Sequence, residues 1–460
     1  MKRRSVLLAI LGGLIYIWTG TLYISVAYTL FDLFDETTVC LITDCLFAVF
    51  QVLGYIASMI FMRKSKYAMG CLVPVTESVF IFASGAAAFL YKGMAGTIVL
   101  GSIMSFFIGT IMCYSITRIT SDVVFSERGK AFGIIYAVGS VGSLVLSLLD
   151  GGEALGEGFI LILYAILAIA SAFFMIPLFG KRDENVFREE EYLYPVKLKP
   201  GRNDMALLCI VFMFFVLSNI GLHFKVPSGA GFESAVFSRA FYAVGLIVAG
   251  YINDRSRKTG AFCAFLALGF GLISPALRIN AGASVLVQAL AYVFLGLPAV
   301  YRMIAFSDEA ERNHSKLPFA TLGVAAALMG QAVGTLAGIW LEQNMTVLVC
   351  VMLVLYKLTG AGFFAFFPLL YPDSEKSDRL PGGDRKEMAF EQYVGKYGLN
   401  SKQAQVLKYI LDGESNCEIA EKLFVAESTV KYHVKNILQA TSCHNRGELI
   451  EDFRNHYLNP

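Results

Sequence analysis

The chain has 460 residues, of which 56% are hydrophobic and 16% charged, with a mean hydropathy of +0.61 and a formal net charge of +2. A water-soluble protein of this size carries about a quarter charged residues, so most of these side chains never meet water. An ordinary soluble globule, a disordered chain and a disulfide scaffold are all excluded, and a polytopic membrane protein is left. The 42 Gly, 37 Phe and 22 Tyr against 12 Pro suit helices packed in lipid, where small residues let backbones approach.

A bilayer core about 30 Å thick asks for roughly 20 apolar residues per helical span. Twelve candidates follow in order near 6–30, 39–61, 68–90, 95–117, 129–149, 158–179, 205–224, 233–252, 260–279, 283–301, 318–341 and 345–370. The opening Met1-Lys2-Arg3-Arg4 has the charge of a secretory signal, but the apolar run extends to Leu30 without a small-residue cleavage site, so it reads as an uncleaved first span. Lys and Arg resist translocation and gather in cytoplasmic loops. With the N-terminus inside, 21 basic residues, among them Arg63, Arg118, Arg128, Arg255, Arg257, Arg302 and Lys316, oppose three outside, Lys92, Lys225 and Arg278. An even number of spans then returns the C-terminus to the cytoplasm, and the expected location is the inner (cytoplasmic) membrane of the cell.

The longest loop, Lys181 to Asp204, divides the spans six and six. Val52-Leu53-Gly54-Tyr55-Ile56-Ala57-Ser58 near the end of span two is echoed 196 residues later by Val248-Ala249-Gly250-Tyr251-Ile252-Asn253-Asp254, which runs on into Arg255-Ser256-Arg257-Lys258. The second copy resembles the signature loop of the major facilitator superfamily, G-x-x-x-D-R-x-G-R-K, which follows the second and eighth spans in that family. The resemblance covers residues 1–370 and implies two six-span halves, 1–180 and 205–370, around a central cavity. Ser58 stands where the first acid belongs, and Ser256-Arg257 replaces the second glycine; the lost acid leans away from ordinary transport.

Ionisable residues inside the spans are Asp44, Glu77, Arg239 and Lys357. A charge at bilayer depth normally faces a cavity or a partner. Asp44 and Arg239 fall about two turns from the outer surface, on spans two and eight, which the facilitator fold places beside its cavity. They are the ligand candidates and are expected to form one electrostatic unit. Glu77 and Lys357 fall at mid-depth on spans three and twelve, at that fold's periphery. Tyr16, Trp18, Tyr23, Tyr114, Asn219, His223, Tyr292 and Gln331 can line a pocket or simply pack. The nine cysteines are scattered without a CxxC pair or zinc spacing, so they read as small buried hydrophobes, and no metal or cofactor is implied.

Residues 371–460 are a different material, with 12 Lys+Arg and 14 Asp+Glu. The stretch 371–390, broken by Pro and Gly, is expected to be a linker. Beyond it the periodicity is helical: Val406, Leu407, Ile410 and Leu411; Ile419, Ala420 and Leu423; Val430, Val434, Ile437 and Leu438; Leu449, Ile450 and Phe453. Four helices fit, and only Phe424 to Glu427 separates the second from the third, which describes a helix-turn-helix.

Leu399-Asn400-Ser401-Lys402-Gln403, Gly413-Glu414-Ser415-Asn416-Cys417-Glu418-Ile419-Ala420 and Thr429-Val430-Lys431-Tyr432-His433-Val434-Lys435-Asn436-Ile437-Leu438 resemble the LuxR-type DNA-binding domain, here over 391–460. Departures are Lys402-Gln403 for the family's Arg-Glu, Ala426 for the Ser that caps the recognition helix, and Ala440-Thr441-Ser442 for its K-L-G. Apart from any resemblance, the third helix from Ser428 to Ala440 holds Lys431, His433, Lys435 and Asn436 and no acid, with the two lysines on one face. Such a helix suits a major groove. The resemblance implies that Thr429, Lys431, Tyr432, Lys435 and Asn436 serve base edges and phosphates, with Ser415 and Asn416 near the DNA backbone. His433 braces a phosphate or packs. So little excess charge makes one module bind weakly, and a homodimer through the fourth helix is expected.

The expected fold is therefore all-α, a twelve-span bundle plus a four-helix module, in contact with membrane lipids and double-stranded DNA. The expected function is a transcriptional regulator whose transporter-like domain perceives a small molecule. The runner-up is a working transporter with a regulatory DNA-binding tail, and a third reading is a DNA binder on an inert anchor. No phosphate-accepting receiver, Walker loop, catalytic triad or metal cluster is recognisable, so no enzyme is expected.

Overall fold

The computed structural model describes residues 3–64, 70, 72–150, 157–178, 201–220, 232–277, 281–311, 314–341, 343–371, 390, 392–411, 414–423, 425–443 and 445–458. Among these, all regular structure is helical. The chain divides into two compact units, Met1–Asp373 and Ser374–Pro460. The expected linker at 371–390 lies almost wholly outside the described residues.

Among the described residues, unit one contains twelve long helices: α1 Arg3–Phe31, α2 Glu36–Lys64, α3 Leu72–Tyr91, α4 Met94–Asp122, α5 Arg128–Asp150, α6 Glu157–Leu178, α7 Arg202–Ile220, α8 Phe232–Arg255, α9 Arg257–Leu277, α10 Ala281–Glu311, α11 Leu322–Leu341 and α12 Met345–Leu370. Ten of them are long and apolar enough to cross a membrane. The other two, α8 and α9, occupy the places of the expected eighth and ninth spans. Within α2, Leu41–Phe47 is a π-helical stretch, a local widening that frequently marks functional positions. α10 runs ten residues past its expected end at 301, straight through Pro298. Hydropathy had closed that span at Arg302, but helical hydrogen bonding does not depend on apolar side chains.

The halves pack internally through α1 on α5, α2 on α4, and α3 on α4, then through α7 on α11, α8 on α10, and α9 on α10. They meet each other through α5 on α8 and α2 on α11. Close approach within each half depends on glycine. A Cβ on Gly54 would come 2.0 Å from the Phe106 carbonyl oxygen of α4, and one on Gly245 would come 2.0 Å from that of Val293 on α10. Gly54 and Gly245 are 191 positions apart, as are the helix ends Lys64 and Arg255. The structural repeat is therefore offset by five residues from the sequence echo. Ser58 is buried inside α2, and the true counterpart of Asp254 is Arg63.

Unit two contains α13 Ser401–Leu411, α14 Asn416–Leu423, α15 Glu427–Thr441 and α16 Arg446–Leu458. Tyr393, Val406, Leu407, Ile410, Ile419, Val430, Ile437, Leu449 and Phe453 close one core, as the periodicity requires. Gln403, a departure from the family pattern, is structurally sound: its Oε1 accepts from the Asn400 N–H at 2.9 Å while Asn400 Oδ1 accepts from the Gln403 N–H at 3.0 Å. This reciprocal box satisfies two amides at the start of α13. Ser415 and Glu418 form the same box on α14, at 2.7 and 3.3 Å.

α15 lacks such help, because its N-cap Ala426 makes no side-chain bond, a loss worth about 1 kcal/mol. Its exit turns on Ser442 in the left-handed region at φ 59°, with the Cys443 N–H donating to the Leu438 carbonyl at 3.0 Å. A residue with a Cβ is strained there, and glycine is the usual occupant. Ser442→Gly should raise the stability of unit two by about 0.5–1 kcal/mol after allowing for the greater freedom of the unfolded glycine. Urea unfolding checks this, and an unchanged or lowered midpoint would mean the turn is not strained.

Candidate functional site

On unit two, Thr429, Lys431, Tyr432 and Lys435 are exposed along α15, and Tyr432 is 62% exposed although aromatic. Lys431 and Lys435 line a groove of about 630 Å³ together with Asn416 from α14, Val434, Leu438, Gln439 and Cys443. The fold thus brings Asn416 of α14 and Lys431 and Lys435 of α15 to one groove. The Ser415 hydroxyl is occupied as the cap of α14, and the Ser415 N–H holds the Glu418 carboxylate below its ordinary range. Asn416 Oδ1 accepts from Arg446 at 3.4 Å, which links α14 to α16. Asn436 is half-buried, and so is His433, whose Nδ1 has no hydrogen-bond partner and whose ring lies 5.7 Å from that of Tyr432.

One electrostatic expectation needs correcting. α15 starts at Glu427, one residue earlier than read, and Glu427 pairs with Lys431 at 3.0 Å across one turn. Both side chains are about half exposed or more, so this pair is worth little and yields readily to a phosphate. On α16, the Asp452 carboxylate accepts from the hydroxyls of Tyr393 at 2.6 Å and Tyr397 at 3.3 Å, fixing that helix to the core.

In unit one, Asp44 sits in the π-helical stretch of α2. It accepts from Gln331 Nε2 at 3.3 Å and from Thr335 Oγ1 at 3.0 Å, both on α11. Asn219 of α7 donates to the Gln331 carbonyl at 3.0 Å and to Thr335 Oγ1 at 3.2 Å. Asp44 therefore anchors a polar junction between the halves. Arg239 belongs to α8, but its side chain lies outside the described residues, as does His223. Glu77 is buried on α3 with Oε2 unpartnered, whereas Lys357 is exposed on α12. Tyr23 donates to the Thr43 carbonyl at 2.9 Å beside Asp44, Tyr292 stands 6.5 Å from Tyr242, and Trp18 and Tyr114 are buried packing residues.

A second junction ties the opposite ends of the helices. Arg128 at the start of α5 is fully buried and reaches Asp308 of α10 at 2.9 Å, while Arg257 of α9 takes the other oxygen of Asp308 at 2.7 Å. Arg257 also reaches Asp254 at 3.2 Å and stacks on Phe125, 4.2 Å from the ring centre. Asp254 in turn accepts from the N–H groups of Gly129 at 2.7 Å and Lys130 at 2.8 Å, capping α5. A carboxylate there satisfies free amides and faces the positive end of the helix dipole. The signature loop thus joins the halves through Asp254. Arg118, Arg128 and Arg302 had been counted as loop charges, yet the first two are buried and Arg302 lies within α10. Helices longer than their apolar runs were the missing signal.

Comparisons with known proteins divide along the same line. Residues 398–451 match the family described as bacterial regulatory proteins, luxR family. The chain is 30% identical over 95 residues to the Fimbriae Z protein of Salmonella typhimurium, covering 21% of this chain and 41% of that one. It is 48% identical over 52 residues to the glycerol metabolism activator of Pseudomonas putida, covering 11% and 24%. The chain thus spans less than half the length of these relatives. The E.coli fucose:proton symporter FucP, a solved structure, superposes with a TM-score of 0.56 at 15% identity over 80% of this chain and 99% of its own. That likeness is one of fold.

Removing the shared acid should expose the energetics of the ionic junction. Asp308→Asn removes the carboxylate that Arg128 and Arg257 share and should destabilise the detergent-solubilised protein by about 3 kcal/mol. A double-mutant cycle with Arg257→Gln in thermal unfolding should return a coupling above about 1 kcal/mol. Strictly additive effects would show that the pair contributes nothing.

Proposed function

We propose that this chain, a luxR-family DNA-binding domain joined to a multi-pass membrane domain of major facilitator fold, is a membrane-embedded transcriptional regulator in which the membrane unit perceives a small molecule and governs DNA binding. The observation that carries this reading is the fusion itself. A groove-sized helix bearing Thr429, Lys431, Tyr432 and Lys435 on its exposed face is covalently tied to a bundle whose halves meet through breakable polar contacts. Contacts of that kind give a membrane domain two arrangements to choose between, which is what a switch requires. On this reading unit two and, with an even number of spans, both termini lie on the cytoplasmic side of the inner membrane. Lys431, Lys435 and Thr429 take the phosphate and base-edge roles, with Asn416 and Ser415 beside the backbone. The modest charge of the module favours a homodimer on one operator.

Retained transport is the second reading, and the likeness to a proton-coupled symporter favours it. Against it, the position equivalent to Asp254 in the first half is the basic Arg63, so only one half carries the capping acid.

Two measurements test the regulator. Lys431→Ala and Lys435→Ala should each weaken duplex binding by unit two and reduce its salt dependence by roughly one phosphate equivalent; gel-shift titrations with unchanged affinity in both variants would remove α15 from the interface. Asp44→Asn should change the response of a promoter reporter in cells while leaving the amount of protein in the membrane unaltered. A reporter indifferent to that change would favour an inert anchor.

A further inference from the structure

Arg302 is a half-buried cation that the ionic junction leaves out, with its Nε shut off from solvent. It lies on α10, one turn beyond Pro298 and nine residues before the helix ends at Glu311, which places it about 14 Å in from that end. The Asp308 carboxylate further along the helix is already shared by Arg128 and Arg257. Among the described residues no carboxylate pairs with Arg302, and its Nε has no hydrogen-bond partner.

What surrounds it is aromatic and comes from both halves. The guanidinium carbon lies 4.6 Å from the ring centre of Phe215 on α7. The Tyr136 hydroxyl on α5 of the other half hydrogen-bonds with it. The rings of Tyr16 and Tyr136 pack 4.7 Å apart. Arg302 is therefore placed where the two halves meet, between Phe215 of its own half and Tyr136 of the other. A half-buried guanidinium without a counter-charge among the described residues is costly, and ring faces offset only part of that cost. Arg128 and Arg257 share the Asp308 carboxylate; the counter-charge that the described residues do not give Arg302 is one that a ligand can supply.

We propose that Arg302, flanked by Phe215 and Tyr136, is the recognition point for a small organic monocarboxylate, which on the regulatory reading above is the molecule perceived. A planar carboxylate meets the guanidinium fork through two parallel hydrogen bonds. A single negative charge cancels a single positive one, whereas a phosphate dianion leaves a surplus charge among apolar helices. The Tyr136 hydroxyl adds a donor, and the ring faces accept an apolar body. Because the site draws on both halves, occupancy changes how firmly they are held together.

The test is thermal unfolding of the full-length protein in detergent, with benzoate, 3-phenylpropionate and hexanoate as probes, each against its uncharged amide, and inorganic phosphate alongside. At least one carboxylate should raise the Tm in a concentration-dependent way, and its amide and phosphate should not. Arg302→Gln should weaken that binding at least about tenfold, and Arg302→Lys less, since it keeps the charge and loses the fork. No shift with any carboxylate, an equal shift with the amides, or wild-type binding by Arg302→Gln would overturn the proposal. Should Arg302→Gln not fold, the contrast between carboxylate and amide in the wild-type protein decides alone. The assay reads binding and not transcription, so a carboxylate that binds without altering a reporter would remove the regulatory reading and leave the site standing.

Discussion

Asp308 sits between Arg128 and Arg257, one oxygen to each, and the way the two halves of the membrane unit meet depends on that bridge. Three charges held largely out of water are tolerable only because they are paired, and losing Asp308 takes the shared partner from both arginines. Around this bridge the carboxylate of Asp254 caps α5, Arg257 stacks on Phe125, and the Thr120 hydroxyl donates to Ser307 at 2.9 Å. At the other end of the same interface Asp44 accepts from Gln331 and Thr335.

Much of this was legible in the sequence, and the legible part was periodic. Apolar runs placed the spans, since burial in lipid acts on every residue of a run. The amphipathic spacing of Val406, Ile410, Ile419, Val430 and Ile437 placed the core of the DNA-binding module for the same reason. The exposed face of α15 followed from what the core left over.

Single contacts between distant residues were less legible. Arg128 and Asp308 are 180 positions apart and no pattern links them. Counting Arg128 and Arg302 as loop charges gave the right orientation signal and the wrong environment, because helices extend past their apolar runs. The echo of Gly54 in Gly250 looked like the repeat, yet the packing glycine equivalent to Gly54 is Gly245. Similar letters and equivalent backbone positions differed by five residues, which moved the comparison from Arg63 to Ser58. The lost cap at Ala426 could be read directly, since a cap is a local feature, whereas the Glu427–Lys431 pair turned on where the helix began.

The central claim is that the arrangement of the membrane unit sets the DNA affinity of the tethered module. It is tested most directly by measuring duplex binding of the full-length protein in lipid nanodiscs, using a sequence selected from a random pool, for the wild type and for Asp308→Asn. The excised unit two serves as the reference. The account predicts that full-length affinity changes by at least about threefold (0.65 kcal/mol) when the ionic junction is loosened. Identical affinity in the two full-length proteins, with both folded in the membrane, would contradict it and leave a DNA binder that is merely anchored.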